Sequence, residues 1–203
     1  MESSVNFLSA ISSEQLCWRS TELRAAGRKA ALDHKYVRTT WNALDILELV
    51  ETNVTDIFHI VLHRALMPNS VMRRFAVQVV YEMIESAKLA DLKFPAVLNA
   101  ALAFERKEIA KEELARVVAD LRYHTDTLGY FLNFPNIVKS MWLAVHEDAA
   151  DAAWSVIKFN DSANSETKKL LKSILDKWLN EEDVLEGTVW GPDRKSVPFY
   201  RDR

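Results

Sequence analysis

Asn69-Ser70-Val71-Met72-Arg73-Arg74-Phe75-Ala76-Val77-Gln78-Val79-Val80-Tyr81-Glu82-Met83-Ile84-Glu85-Ser86-Ala87-Lys88 is the stretch whose reading decides the fold. Val71, Phe75, Val79 and Met83 are spaced four apart, so they share one face of an α-helix. Val80 and Ile84 widen that stripe. An apolar face this broad predicts a helix with neighbours on several sides, at the centre of a helical bundle. Pro68, immediately before it, cannot continue an earlier helix but suits the start of a new one.

Toward the C-terminus the same periodicity continues. Pro95 opens a helix running through Phe104, and the charged run 105–108 is a turn or an exposed continuation. Residues 110–127 follow as a helix, with Leu114, Val117, Val118 and Leu121 facing inward. Gly129 is a helix stop, and Pro135 opens a helix over 136–159. Its inner stripe is Val138, Trp142, Val145, Ala149, Ala153 and Val156. The polar stretch 160–165 is a loop and cap, and 166–181 is a helix burying Leu170, Leu171, Ile174, Trp178 and Leu179.

Toward the N-terminus, Asn53 or Thr55 caps a helix carrying Asp56 in its first turn and running to Leu66. A helix over 36–51 carries Trp41, Leu44, Ile46, Leu47 and Val50. Ser12 with Gln15 makes a capping-box pattern ahead of a helix over 13–33. The expectation is an all-α fold, a compact multi-helix bundle of about eight helices over residues 1–182. Residues 183–203 form an irregular C-terminal tail, because Gly187, Gly191, Pro192 and Pro198 interrupt it.

Composition agrees. Only 4 glycines and 5 prolines occur in 203 residues, too few for the turns of an all-β fold. The net charge of −3 gives no general affinity for nucleic acid or membrane. Cys17, the single cysteine, permits no internal disulfide and reads as a small apolar core residue. Met1 to Leu8 has no basic segment or signal-length apolar run, so the expected location is the cytoplasm.

The search for chemistry is mostly negative. The isolated glycines form no P-loop, Rossmann turn or nucleophile elbow, and no cofactor is indicated. His59 and His63 are four apart, which on a helix puts both on one face, with Asp56 one turn earlier. That set could chelate a metal, although the glutamate of zinc proteases is missing after His59. His124 beside Tyr123, and His146 with Glu147 and Asp148, could contribute to an acid–base site assembled from distant residues. A basic face over 18–38, with Trp18, His34 and Tyr36 nearby, is the one footprint suited to nucleic acid, and the acidic overall balance weighs against it. In the tail, Trp190, Tyr200 and Arg201 are residue types enriched at interface hot spots, and Phe199 adds apolar area.

Several strings carry a family likeness. They are Leu62-His63-Arg64-Ala65-Leu66-Met67-Pro68 followed by Val71 and Arg73-Arg74-Phe75-Ala76, then Lys107-Glu108-Ile109 and Glu112-Glu113-Leu114-Ala115-Arg116, then Asp148-Ala149-Ala150-Asp151-Ala152-Ala153-Trp154. In this order, over residues 60–160, the chain resembles the helical immunity proteins of bacterial and phage genomes. The alanine tract here is shorter than in that group. The resemblance implies a compact helical protein without catalytic residues that acts by binding another protein.

Together these readings favour a non-enzymatic protein-binding module, of immunity or inhibitor type, acting stoichiometrically, with Trp190, Phe199, Tyr200 and Arg201 as partner-binding candidates. The alternative is a helical metalloprotein or enzyme using Asp56, His59 and His63, and the third is nucleic-acid binding through 18–38.

Overall fold

The structure, a computed structural model, describes residues 8–12, 40–49, 53–89, 93–160 and 163–186. Over these residues the chain is all-α apart from one short strand pair. β1 (Ala10–Ser12) and β2 (Thr40–Asn42) run antiparallel, with Ile11 opposite Trp41. The helices are α1 (Ala43–Leu47), α2 (Val54–Val61), α3 (Asn69–Ser86), α4 (Lys93–Glu105) and α5 (Lys111–Thr127). They continue with α6 (Tyr130–Asn133), α7 (Pro135–Ala144), α8 (Ala149–Asn160) and α9 (Ser165–Leu179).

The opening stretch is indeed the axis of the bundle. α3 packs against α4, α7, α8 and α9. Val71, Phe75, Val80 and Ile84 are buried, and the Phe75 ring stacks on Phe58 of α2 at 5.6 Å. Burying side chains of this size contributes roughly 1.5–3 kcal/mol each, so this one face supplies much of the stability. Met83, read as part of the stripe, is only half-buried.

Helix starts follow their chemistry. The Asn53 side chain accepts the Thr55 N–H at 2.9 Å, so Asn53 rather than Thr55 caps α2. Pro68 precedes α3 with extended backbone, and Pro135 is the first residue of α7. Asn164 caps α9 in a reciprocal arrangement with Thr167. Gly129, at φ 67°, follows the end of α5, where its left-handed conformation suits a residue without a Cβ.

Three expectations are corrected. The helix expected over 36–51 is strand at 40–42, and helix only from Ala43. β-branched Thr40 and aromatic Trp41 favour extended backbone, and Asn42 with Asp45 forms a capping box that sets the start at Ala43. The helix expected to reach Leu66 ends at Val61. The single helix expected over 136–159 is two, α7 and α8, broken at 145–148. Asp148 makes the break, its Oδ1 accepting the N–H groups of Ala150 at 2.8 Å and Asp151 at 3.0 Å.

Arg73 holds that break from below. It is fully buried on α3, and its guanidinium donates to the carbonyls of Ala144 at 2.9 Å and Glu147 at 3.0 Å, and to Glu105 at 3.4 Å. Burial disfavours its charge, and Glu105 partly restores it. One side chain therefore ties α3 to the ends of α4 and α7.

The helix over 13–33, Cys17 and the basic face over 18–38 lie outside the described residues, apart from Ser12, which ends β1. The described start of the tail folds back. Val184 and Leu185 are buried, and the Leu185 carbonyl accepts from Arg106 at 2.5 Å.

Candidate functional site

Two concave surfaces stand out among the described residues. One lies between α4 and α5. These helices are joined by a short link and run antiparallel, so the N-terminal half of α4 faces the C-terminal half of α5. Lys93, Ala96 and Val97 form one wall, and Val117, Asp120, Leu121 and Tyr123 form the other. The volume is about 290 Å³, room for a few side chains rather than a large cofactor. Val117, expected to face the core, is half-buried and lines this opening.

Three large apolar side chains are exposed on the C-terminal part of α5 and on α6, and Tyr123 among them lines the groove. Tyr123 is 76% exposed, Leu128 at the end of α5 is 54%, and Leu132 on α6 is 85%. α6 is a single helical turn between α5 and α7. Large apolar side chains held open on ordered helices mark an interaction surface. Beneath them, Phe94 meets Tyr130 edge-on at 5.2 Å and His124 at 6.4 Å. His124 is thus a half-buried member of an aromatic cluster.

The second concavity, of about 410 Å³, lies between the end of α2 and the start of α8. His59, Leu62, His63, Arg64, Ala150, Asp151 and Trp154 line it. His59 stacks on Trp154 with ring centroids 4.8 Å apart. The premise that His59 and His63 share a helix face fails, because α2 ends at Val61. His63 lies beyond it, and its Nδ1 accepts the Ala65 N–H at 3.2 Å. Both imidazoles still line one cleft, but Asp56 does not. Among the described residues no group of three His, Cys, Asp or Glu side chains is placed to hold a metal ion. Arg64 is engaged with Asp148, the residue that caps α8.

The other acid–base candidates are also committed to structure. The His146 Nδ1 accepts the Asp148 N–H at 3.2 Å. The Glu147 carboxylate pairs with Lys111 at the start of α5, which holds its proton affinity below the usual carboxylate range. Trp190, Phe199, Tyr200 and Arg201 lie outside the described residues.

Sequence reasoning named Tyr123 only as a neighbour of His124, and did not single out Leu128 or Leu132. A signal existed. Leu128 and Leu132 flank Gly129-Tyr130 where the helical register resets, so they do not continue the inner stripe of Leu114 and Leu121.

Comparison of the chain with protein-family models, with curated proteins and with solved structures finds no match in any of the three. No helix among the described residues is long and apolar enough to cross a membrane.

Proposed function

We propose that this chain is a non-enzymatic binding module that seats a partner protein in the α4–α5 groove and on the edge formed by Tyr123, Leu128 and Leu132. The observation that carries the reading is the exposure of those three large apolar side chains, of which Tyr123 lines the apolar groove. The partner has the chemistry of an amphipathic helix. An open trough between two antiparallel helices accepts apolar side chains spaced three or four apart. Its rim bears Lys93 on one wall and Asp120 on the other, so a bound helix would flank its apolar anchors with charges of both signs.

The resemblance to helical immunity proteins supports a stoichiometric role of immunity or inhibitor type, in bacterial or phage conflict. In that role the module would occlude a partner's working surface. The two histidines of the α2–α8 cleft lend the metalloprotein alternative little, since among the described residues no group of three His, Cys, Asp or Glu side chains is placed to hold a metal ion and Arg64 of the same cleft is paired with Asp148. Metal analysis of the purified protein is the direct check on it.

The test introduces negative charge at Tyr123 and Leu132. Tyr123→Glu with Leu132→Glu should abolish binding of the partner and leave the circular dichroism spectrum unchanged. Lys169→Glu, at an exposed position of α9, should bind as the parent does. Equal binding by the edge variant and the parent would remove the reading. Loss of a dimer, in place of loss of a foreign partner, would make the occupant a second copy of this chain.

A further inference from the structure

Arg74 follows Arg73 on α3, and helical rotation turns its side chain to a different flank. The two arginines have opposite fates. Arg73 has an acceptor for each of its guanidinium nitrogens. Arg74 makes no hydrogen bond or ion pair among the described residues, and its Nη1 is shielded from solvent without an acceptor.

The surroundings deepen the imbalance. Arg106, just past α4, is close enough that its charge, after burial, is the second cause disfavouring the Arg74 cation. Arg106 itself is fully engaged, gripping Glu108 with Nε and Nη2 at 2.8 Å each and the Leu185 carbonyl with Nη1. Glu105 is paired with Arg73 and Glu108 with Arg106, while no ion pair joins Arg74 to a carboxylate among the described residues.

We propose that Arg74, beside Arg106, forms a binding site for an oxyanion group, phosphate or carboxylate, at the junction of α3, the end of α4 and the segment after α9. A planar guanidinium presents two parallel N–H groups that match two oxygens of one such group. A half-buried guanidinium without acceptors is costly, and an oxyanion supplies both the missing acceptors and the missing charge. Arg106, fixed by Glu108 and Leu185, adds positive potential without having to move. The same chemistry has two sources. One is a free anion such as inorganic phosphate. The other is a carboxylate of this chain beyond Glu186, where Asp193 and Asp202 are the acids available.

The experiment is a titration of the full chain with inorganic phosphate, followed by calorimetry, at constant ionic strength maintained with chloride. Saturable binding by the parent, weakened at least tenfold in Arg74→Gln and retained in Arg116→Gln on exposed α5, establishes the site with a free anion as its ligand. Binding that emerges only in Asp193→Asn with Asp202→Asn, and disappears again when Arg74→Gln is added, establishes the site with the chain's own carboxylate as occupant. Arg74→Lys keeps the charge without the fork, so a severalfold loss is expected from it, and it serves if Arg74→Gln does not fold. Absence of saturable phosphate binding in both the parent and the double aspartate variant overturns the proposal, as does binding indifferent to Arg74.

Discussion

Replacing Arg73 by methionine tests the packing of the bundle most sharply. Methionine keeps much of the volume and the unbranched stem, so what disappears is the guanidinium. Two effects compete. Burying an arginine is expensive, and exchanging a whole buried ion pair for apolar groups can be neutral or stabilising. Here, however, the acceptors remain. The Ala144 carbonyl sits in a buried bond and would be left without its donor, at about 1–3 kcal/mol. The Glu147 carbonyl is partly accessible and water can take it over, so its loss is smaller. The Glu105 carboxylate, 16% exposed, would lose its countercharge. The orphaned acceptors outweigh the relief of desolvation, and we expect a net loss of about 3–4 kcal/mol, a large share of the ~5–15 kcal/mol of a typical domain. Urea unfolding followed by circular dichroism measures it, with the m-value as a check on two-state behaviour. If the carbonyls dominate, Glu105→Gln should cost less than half as much, and the double variant should show little coupling beyond that. A loss under about 1 kcal/mol for Arg73→Met would refute the claim that this side chain holds the α7–α8 break.

Other consequences are smaller and separable. Lys107 closes α4 at φ 62°, its N–H bonded to the Phe104 carbonyl and that of Glu108 to the Ala103 carbonyl, so Lys107→Gly relieves left-handed strain of ~1–2 kcal/mol against an entropic cost of ~0.5–1 kcal/mol. The melting temperature should therefore rise slightly, and a fall would contradict this. Asp148→Ala removes the cap of α8 together with the partner of Arg64, and should cost roughly 1–2 kcal/mol in urea unfolding, whereas Asp151→Ala should cost less. The hydrogen bond from Lys111 depresses the Glu147 pKa in the folded state. The stability this contributes is complete above the ordinary carboxylate value of ~4.3 and disappears as pH falls through the folded value, so Glu147→Gln should flatten the acid limb of the stability profile without changing its slope near pH 7.

The architecture was legible where local chemistry and packing agree. The stripe of Val71, Phe75, Val80 and Ile84 announces a central helix, and Pro68, Asn53 and Pro135 announce starts. It was illegible where tertiary contacts override periodicity. Val138, Val145, Ala149, Ala153 and Val156 keep helical spacing across a break that Asp148 and a distant Arg73 impose. Helix ends fared better: Lys88, Lys107 and Glu181 occupy left-handed positions where glycine is the usual stop signal, yet the expected ends at 88, 104 and 181 lie within two residues of the observed Ser86, Glu105 and Leu179. The groove could not be read because it depends on how far apart α4 and α5 sit, not on the pattern of either. Val117 and Leu121 look alike in sequence and both line the opening, yet Leu121 is buried and Val117 only half-buried. The histidine pair misled because its spacing presupposes a helix that stops at Val61.

The claim that this chain works by holding another protein against the α4–α5 face is tested most directly by site-specific crosslinking. A photoreactive residue in place of Tyr123, and a second in place of exposed Lys169 as control, would be expressed in the native host and the adducts sized and identified. The account predicts one discrete adduct from position 123, of stoichiometric yield, competed away by unlabelled parent protein but not by the Leu132→Glu variant. Equal adduct patterns from both positions, or none from position 123 while the protein is folded and abundant, would contradict it.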